Sequence, residues 1–508
     1  MRDPQLIGPP GRRAATYDDT HGAVLDRRSQ ISYLRPRERR VTTTSDLTTP
    51  GGTARGRWGR SGASTVADRR ALTVLTVVIV SITLLQRVGI PLGGTQLSVS
   101  VPVALGGIAY LLYHGDAVEN ARATRVFVVA MAVAFLVAGL VMVGDGSGAL
   151  TSLVYLPLIW VVFCFRLHPA RHHLYERVVD RFETVMAVLG GVGVLQTVAQ
   201  AVGAWTYVDV VKQVVPNAFL FLGYNTSYPI QYGSSIVKAN AFVFVEPSVY
   251  AQFLALAILS SMVRRVGTFR AIVMAIALVC TISGTGLLFL AFGIAVLALR
   301  RGGRWTARIV AAVVVIGGGA LLTPFGRIIL SRTTETSQTN SSGSLRFVQP
   351  YERIAEQWGQ DPLTLLIGRG AGSADRLADQ IFAATGLPIN FSGLAKLLME
   401  YGIPATVLFC AFVAYAVIVR SPSPTLSLAS VFASAFLTGS LLQPQVLYVM
   451  LPLCSLFLGY RFERDRDRDR RTYRLEHQHH RVATAASAGG PLPVTVPPAS
   501  PDGGLRRA

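Results

Sequence analysis

An all-α, polytopic membrane fold with about twelve transmembrane helices and one large, partly helical extracytoplasmic loop is what this sequence predicts, and three observations carry it. Hydrophobic residues make up 51% of the 508-residue chain and charged residues only 15%, with a mean hydropathy of +0.43, a composition of the membrane class. Apolar runs recur at roughly the length that crosses a bilayer, about 20 residues. Arginines gather in alternate short connections between those runs, which by the basic-loop rule marks those connections as cytoplasmic.

The first 70 residues hold fourteen Arg against seven acids, with scattered Gly, Pro, Ser and Thr and no apolar period. They are too polar to bury a core and are expected to be a disordered, basic cytoplasmic tail. The polytopic domain follows over 71–460, with candidate spans at 71–87, 96–113, 126–143, 149–165, 184–203, 243–262, 271–282, 285–299, 307–323, 394–419, 425–442 and 445–460. Arg122 and Arg125, then Arg166, Arg171 and Arg177, then Arg264, Arg265 and Arg270, then Arg300, Arg301, Arg304 and Arg308 mark the inner loops. Each member of the pair 271–282 and 285–299 is short, and one long bent helix is the competing reading. Two passes keep both flanking arginine clusters on one side, so two are expected. Both termini then face the cytoplasm, and 204–242 and 324–392 face outward across the plasma membrane. No cleavable signal peptide is expected, because the first apolar run begins so far into the chain.

The 69-residue segment Pro324–Ser392 sets six arginines (Arg327, Arg332, Arg346, Arg353, Arg369, Arg376) against six acids. It also spaces Tyr351, Ile354, Ala355 and Trp358 as one face of a helix, then runs through Leu363–Ile367 into the glycine-punctuated Gly368-Arg369-Gly370-Ala371-Gly372. A solvated linker would lack those apolar anchors. The expectation is a folded cap over a membrane-embedded site. Residues 461–508 open on alternating Arg and Asp from Arg464 to Arg470 and end rich in Pro, Ala and Gly, a second disordered cytoplasmic tail. Basic tails of this kind can touch anionic lipid headgroups, although the favoured reading of their charge is that it retains the termini inside.

Several function classes fall away. The formal charge of +20 is spread over loops and tails with no recognition module, so no nucleic acid partner is expected. Cys164, Cys280, Cys410 and Cys454 fall inside predicted spans, which argues against a disulfide framework or a thiolate metal site. All eight histidines (His21, His114, His168, His172, His173, His477, His479, His480) fall on the predicted inner side without an organised ligand set. No metal and no cofactor is expected, and no outward histidine is available as a base.

Three outward islands carry chemistry. In Asn240-Ala-Phe-Val-Phe-Val-Glu246-Pro247-Ser248, proline suits a first helical turn and Glu246 sits beside the N-terminus, where an anion is favoured. Glu246 is read either as a cap or as a carboxylate that holds or deprotonates a hydroxyl. Ser283-Gly284-Thr285-Gly286 lies between the two short spans; Ser283 and Thr285 are candidates to touch substrate, while small residues there equally permit a tight turn or close helix packing. In the large loop, Arg346 opens a helix expected to run to about Trp358. The turn presents Arg369 with the backbone N–H groups around Gly370 and Gly372, a combination suited to phosphate oxygens. The chain has only three lysines (Lys212, Lys238, Lys396), so its preference for arginine is partly compositional.

Taken in order, the Phe-x-Glu-Pro-Ser span start, the Ser-Gly-Thr-Gly hairpin and the loop Ser-Gly-Ser-Leu-Arg346 … Ile-Gly-Arg-Gly-Ala-Gly372, followed by Asn390 … Leu-Met-Glu400-Tyr-Gly402, resemble the O-antigen ligase and polymerase family over roughly 70–460. The resemblance implies a C-type glycosyltransferase of cell-envelope polysaccharide biosynthesis. Such an enzyme moves glycan units from a polyprenyl-diphosphate-linked donor to a glycan or lipid-linked acceptor on the outer face of the cytoplasmic membrane, without metal. Its partners would be membrane lipids and other polysaccharide assembly proteins. A diphosphate leaving group gains charge as the glycosyl bond breaks, so fixed cations are the expected catalysts: Arg346 and Arg369, with Arg332 as a third choice and Glu246 at the acceptor. Ser283, Thr285, Gly370, Gly372 and Glu400 are then substrate-binding candidates. The ligase branch is associated with an outward histidine that this chain lacks, which points to a polymerase or to a transferase that uses a carboxylate. The Ser-Arg often seen in the family's hairpin is here Ser-Gly-Thr. A flippase for a lipid-linked glycan is the alternative from another class, and it should carry charged residues deep in its helices and show two related halves. Neither is evident in the sequence.

Overall fold

The computed structural model describes residues 62–92, 95–145, 148–221, 224–230, 233–265, 267–301 and 343–463. Nearly all of the expected tails, the span 307–323 and Arg332 lie outside the described residues. The rest is mostly helical: α1 Gly62–Leu84, α2 Ser100–Tyr113, α3 Ala121–Asp145, α4 Leu150–Trp160, α5 Tyr175–Ala201, α6 Val210–Val214, α7 Pro247–Arg264, α8 Thr268–Cys280, α9 Gly284–Arg301, α10 Ser344–Phe347, α11 Gln349–Gln360, α12 Thr364–Ile367, α13 Ser373–Thr385, α14 Gly393–Val413, α15 Pro424–Phe432 and α16 Pro444–Leu447. Helices within Ala121–Gly144, Pro169–Ala201, Gly284–Arg301 and Gly393–Ile418 are long and apolar enough to cross a membrane. Their outward faces are those of a membrane protein. On α3, Val128, Leu136, Leu140 and Val143 point away from the core, and on α9 so does Leu299, the inverse of a water-soluble helix.

Two short antiparallel ladders depart from the all-α expectation: β1 Gly89–Leu92 with β2 Thr95–Ser98, and β3 Ala117–Glu119 with β4 Phe165–Leu167. Both lie in connections, where backbone groups freed from a helix need partners. The first helix begins at Gly62, earlier than the expected boundary at 71, and its opening residues are tied down. Asp68 accepts from Arg171 and His173, and Arg70 pairs with Asp116. Residues 271–282 and 285–299 form two separate helices, α8 and α9, broken at Ile282, whose φ is +45°.

Helix α7 is the hub, buried along almost its whole length against α5, α8, α9 and α15. Glycine sets the closest of these contacts. A Cβ on Gly286 or Gly293 of α9 would lie 2.5 Å from Ala251 or 2.4 Å from Leu259 of α7, so packing explains Gly286 of the Ser-Gly-Thr-Gly hairpin. The connections sort to two ends. At one, Arg264 reaches Glu183, Arg301 reaches the carbonyls of Met262 and Val263, Arg300 reaches Glu463, and Gly459 donates to the Arg420 carbonyl. At the other, Arg87 pairs with Asp209, Ala239 donates to the Cys280 carbonyl, and Ala149 donates to the Ala371 carbonyl.

The described part of the large loop, 343–392, is folded as its apolar spacing predicts. Leu345, Ile354, Ala374, Ile389 and Phe391 make a small core with Ala395 and Met399 of α14, and Tyr351 and Trp358 pack against it. The helix expected from Gly343 to Trp358 is interrupted at Val348, giving α10 and α11.

Candidate functional site

The loop sits on a kink in α14. Gly402 has φ +71° and ψ −177° inside that helix, and Pro404 follows two residues later. Proline has no N–H, so the Glu400 carbonyl loses its intrahelical donor, and the Gly402 conformation frees the Met399 carbonyl as well. The glycine turn supplies both replacements: Arg369 N–H donates to Met399 at 2.8 Å and Gly370 N–H to Glu400 at 3.0 Å. The backbones touch, since a Cβ on Gly368 would lie 2.5 Å from the Glu400 carbonyl and one on Gly402 would lie 2.5 Å from the Leu366 carbonyl. This corrects the expectation that the turn offers free N–H groups to phosphate. Two of them hold the loop to the kinked helix, and Gly370 and Gly372 line no part of the cavity described next.

That cavity, of about 740 Å³, opens between the loop and the N-terminus of α7. Its wall includes Glu246 and Ser248 from α7, Arg346 from α10, Asp375 and Asp379 from α13, Lys396 from α14, and Tyr224. Two of the three residues expected to be catalytic, Glu246 and Arg346, therefore share one cavity. Arg369 is not on its wall, nor are Ser283 and Thr285, whose hydroxyls bond each other at 3.0 Å in the α8–α9 turn. Glu400 lies fully buried behind the cavity and not on its surface.

Glu246 occupies the cap position of α7, but its side chain caps nothing; it accepts from the Ser248 hydroxyl at 2.9 Å, which fixes the carboxylate. Arg346 is half-buried, and among the described residues no carboxylate lies within ion-pair distance of it. Of the loop acids, Glu356 pairs with the neighbouring Arg353 and Asp375 with Lys396. Glu246 and Arg346 both act on Tyr228: burial raises its pKa, Glu246 adds to that, and Arg346 opposes it. Burial, reinforced by Glu246, raises the Tyr224 pKa further, so the Tyr224 hydroxyl serves this cavity as a hydrogen-bonding group and not as a base.

Lys396 is the site residue that sequence reading missed. Its side chain is 7% exposed, pairs with Asp375 and lies 3.6 Å from Glu400 Oε1. The polar neighbours of the buried Glu400 carboxylate are Lys396 and the Gly372 N–H. The available signal was a lysine four residues ahead of a glutamate within an otherwise apolar run, a spacing that puts both on one helix face. Along α14, Lys396 faces the cavity, while Leu397, Phe409, Cys410 and Val413 line an apolar groove with Trp160.

The wall thus mixes two cations with three carboxylates beside a hydrocarbon surface. Cations take phosphate oxygens and carboxylates take sugar hydroxyls, so the arrangement suits an amphiphile with a glycan-phosphate head. Among the described residues no cluster of His, Cys, Asp or Glu is arranged to hold a metal ion. No protein-family profile, curated protein or solved structure matches this chain.

Proposed function

We propose that this protein is an integral-membrane glycosyltransferase that polymerises or transfers polyprenyl-diphosphate-linked glycan units. In this reading the chain crosses the cytoplasmic membrane twelve times with both termini inside, and the cavity opens outward beneath the described part of the loop, 343–392. The gathering of Arg264, Arg300, Arg301 and Arg420 at one end supports the orientation. The observation that carries the function is Arg346, a half-buried cation without a carboxylate partner among the described residues, on the same cavity wall as the fixed carboxylate of Glu246.

The reaction needs two roles filled. The acceptor hydroxyl oxygen attacks the anomeric carbon of the donor, its proton passes to Glu246, and the bond from that carbon to the diphosphate oxygen breaks. Polyprenyl diphosphate leaves with the bonding pair, and Arg346 and Lys396 stabilise the charge that grows on it. Lys396 would trade its contact with Asp375 for a phosphate oxygen. Arg369, placed among the cations by its sequence context, is here assigned to holding the loop on the α14 kink. The apolar groove along α14 would receive the first isoprenoid units. Transfer of a finished chain to another acceptor, the ligase reaction, uses the same chemistry and the same residues.

One observation favours a different class. The buried Lys396–Glu400 pair inside α14 is the kind of intramembrane charge a lipid-glycan transporter would use. Purified protein in vesicles, supplied with a carrier-linked repeat unit, separates the readings. The enzyme reading predicts longer carrier-linked chains and released polyprenyl diphosphate, undiminished by excess chelator. Movement of the substrate across the bilayer with no new glycosidic bond would make the protein a transporter, and activity restored only by magnesium or manganese would overturn the cation mechanism.

A further inference from the structure

At the opposite end of the helices lies a second cavity, of about 610 Å³, lined by Arg300, Arg420 and Arg461 together with Ser421 and Gly459. We propose that it binds the headgroup of an anionic phospholipid through its phosphodiester. The inference rests on the chain being membrane-embedded and is independent of the glycosyltransferase reading.

The site is built by the backbone. Arg420 follows the last turn beyond α14 with φ +63°. Gly459 N–H donates to its carbonyl at 2.7 Å, and Glu463 N–H donates to the Pro422 carbonyl at 3.2 Å. These two bonds lock the segment 459–463 against 420–422 and bring Arg461 to Arg420. The left-handed Arg420 is a strained conformation for a side-chain-bearing residue, held because these neighbours fix it.

Among the described residues its charge is unbalanced. The nearby acid, Glu463, is 4% exposed and already accepts from the hydroxyls of Ser423 at 3.0 Å and Thr425 at 2.7 Å, besides Arg300 at 3.3 Å. Arg420 and Arg461 have no ion-pair partner among the described residues. Behind Gly459, a Cβ would meet His172 at 3.8 Å and Arg166 at 3.9 Å. Arg166 Nε and His172 Nε2 are both buried without a hydrogen-bond partner among the described residues. Three arginines converging on a concave surface, backed by a fourth, raise a positive potential that calls for an anion. Guanidinium forks match phosphate oxygens in pairs. A lipid phosphate and a free phosphate offer the same chemistry. Location favours the lipid: Leu299, 83% exposed, precedes Arg300, and Val419, 41% exposed, precedes Arg420, so the cavity sits where outward-facing hydrocarbon side chains give way to charge, at headgroup depth.

The test compares nanodiscs of phosphatidylcholine with and without phosphatidylglycerol, using the full chain. Phosphatidylglycerol should be retained selectively, and a photoactivatable phosphatidylglycerol should label 418–424 and 459–463 in the unaltered protein. The double variant Arg420→Gln/Arg461→Gln should lose roughly 25-fold in affinity, about five-fold per arginine. Labelling confined to other segments overturns the proposal even if the double variant fails to fold. Equal retention of both lipids, or a folded double variant that keeps its affinity, overturns it as well. Displacement of the lipid by millimolar inorganic phosphate, with labelling abolished, would assign the cavity to a soluble anion instead.

Discussion

Replacing Arg346 separates a catalytic cation from a structural one. Arg346→Gln removes a positive charge from the wall that holds Glu246. At an effective dielectric of about 20, a cation about 4 Å from a phosphate oxygen contributes roughly 4 kcal/mol, and loss of one charge-stabilising donor typically costs about 10²–10³ in turnover. Arg346→Lys keeps the charge and loses the second arm of the fork. One charge-assisted hydrogen bond is worth about 1.5–3 kcal/mol, so turnover should fall about 10- to 100-fold. Stability should barely move, because Arg346 makes no ion pair among the described residues; a change within about 0.5 kcal/mol is expected for such a site. The assay is release of polyprenyl diphosphate per folded molecule, alongside thermal unfolding of the same preparation. An Arg346→Lys protein that turns over normally but melts earlier would refute the assignment, as would an Arg346→Gln protein with undiminished turnover.

Other perturbations probe the fold around the cavity. Gly368→Ala should destabilise the protein by about 2–4 kcal/mol, because φ is +69° there and the added methyl would lie 2.5 Å from the Glu400 backbone; an unchanged unfolding midpoint would show that the turn does not grip the kinked helix. Glu246→Gln should slow transfer while leaving donor binding nearly intact, since it removes the proton acceptor and not the phosphate cations; weakened donor binding with normal turnover would reverse the assigned roles. Burial alone would raise the Asp209 pKa, but the Arg87 guanidinium, the Lys212 N–H and the Thr226 hydroxyl bring it below the ordinary value of 3.8. The stability that this pairing contributes is therefore present above that ordinary value and is lost as pH falls through the native-state value. Asp209→Asn should melt earlier than the unaltered protein at neutral pH, with the gap closing in strong acid, and a gap independent of pH would contradict the pairing.

Local pattern reaches some of these features and misses others for physical reasons. The break between α8 and α9 was legible because arginines flank both helices, and the loop core was legible because Tyr351, Ile354 and Trp358 recur at helical spacing. Glu246 and Arg346 stand out in the sequence as candidates at element starts, and the structure sets both on one cavity wall. The fate of the glycine turn was not, because its N–H groups are consumed by carbonyls some 30 residues away, freed by Gly402 and Pro404. Lys396 was hidden because its partner Asp375 lies on a different helix, and a lone lysine in an apolar run reads as an interruption. The start of α1 was misjudged because Asp68 and Arg70 look like solvated tail until Arg171, His173 and Asp116 are brought beside them.

The most direct measurement is the pool of carrier-linked glycan in cells that lack this protein, compared with cells that carry it. A polymerase predicts accumulation of a single repeat unit on polyprenyl diphosphate at the outer membrane face, relieved by the unaltered protein and not by Arg346→Gln. A ligase would leave a long finished chain on the carrier. Repeat units trapped on the inner face, or a carrier pool unchanged by loss of the protein, would contradict the glycosyltransferase reading.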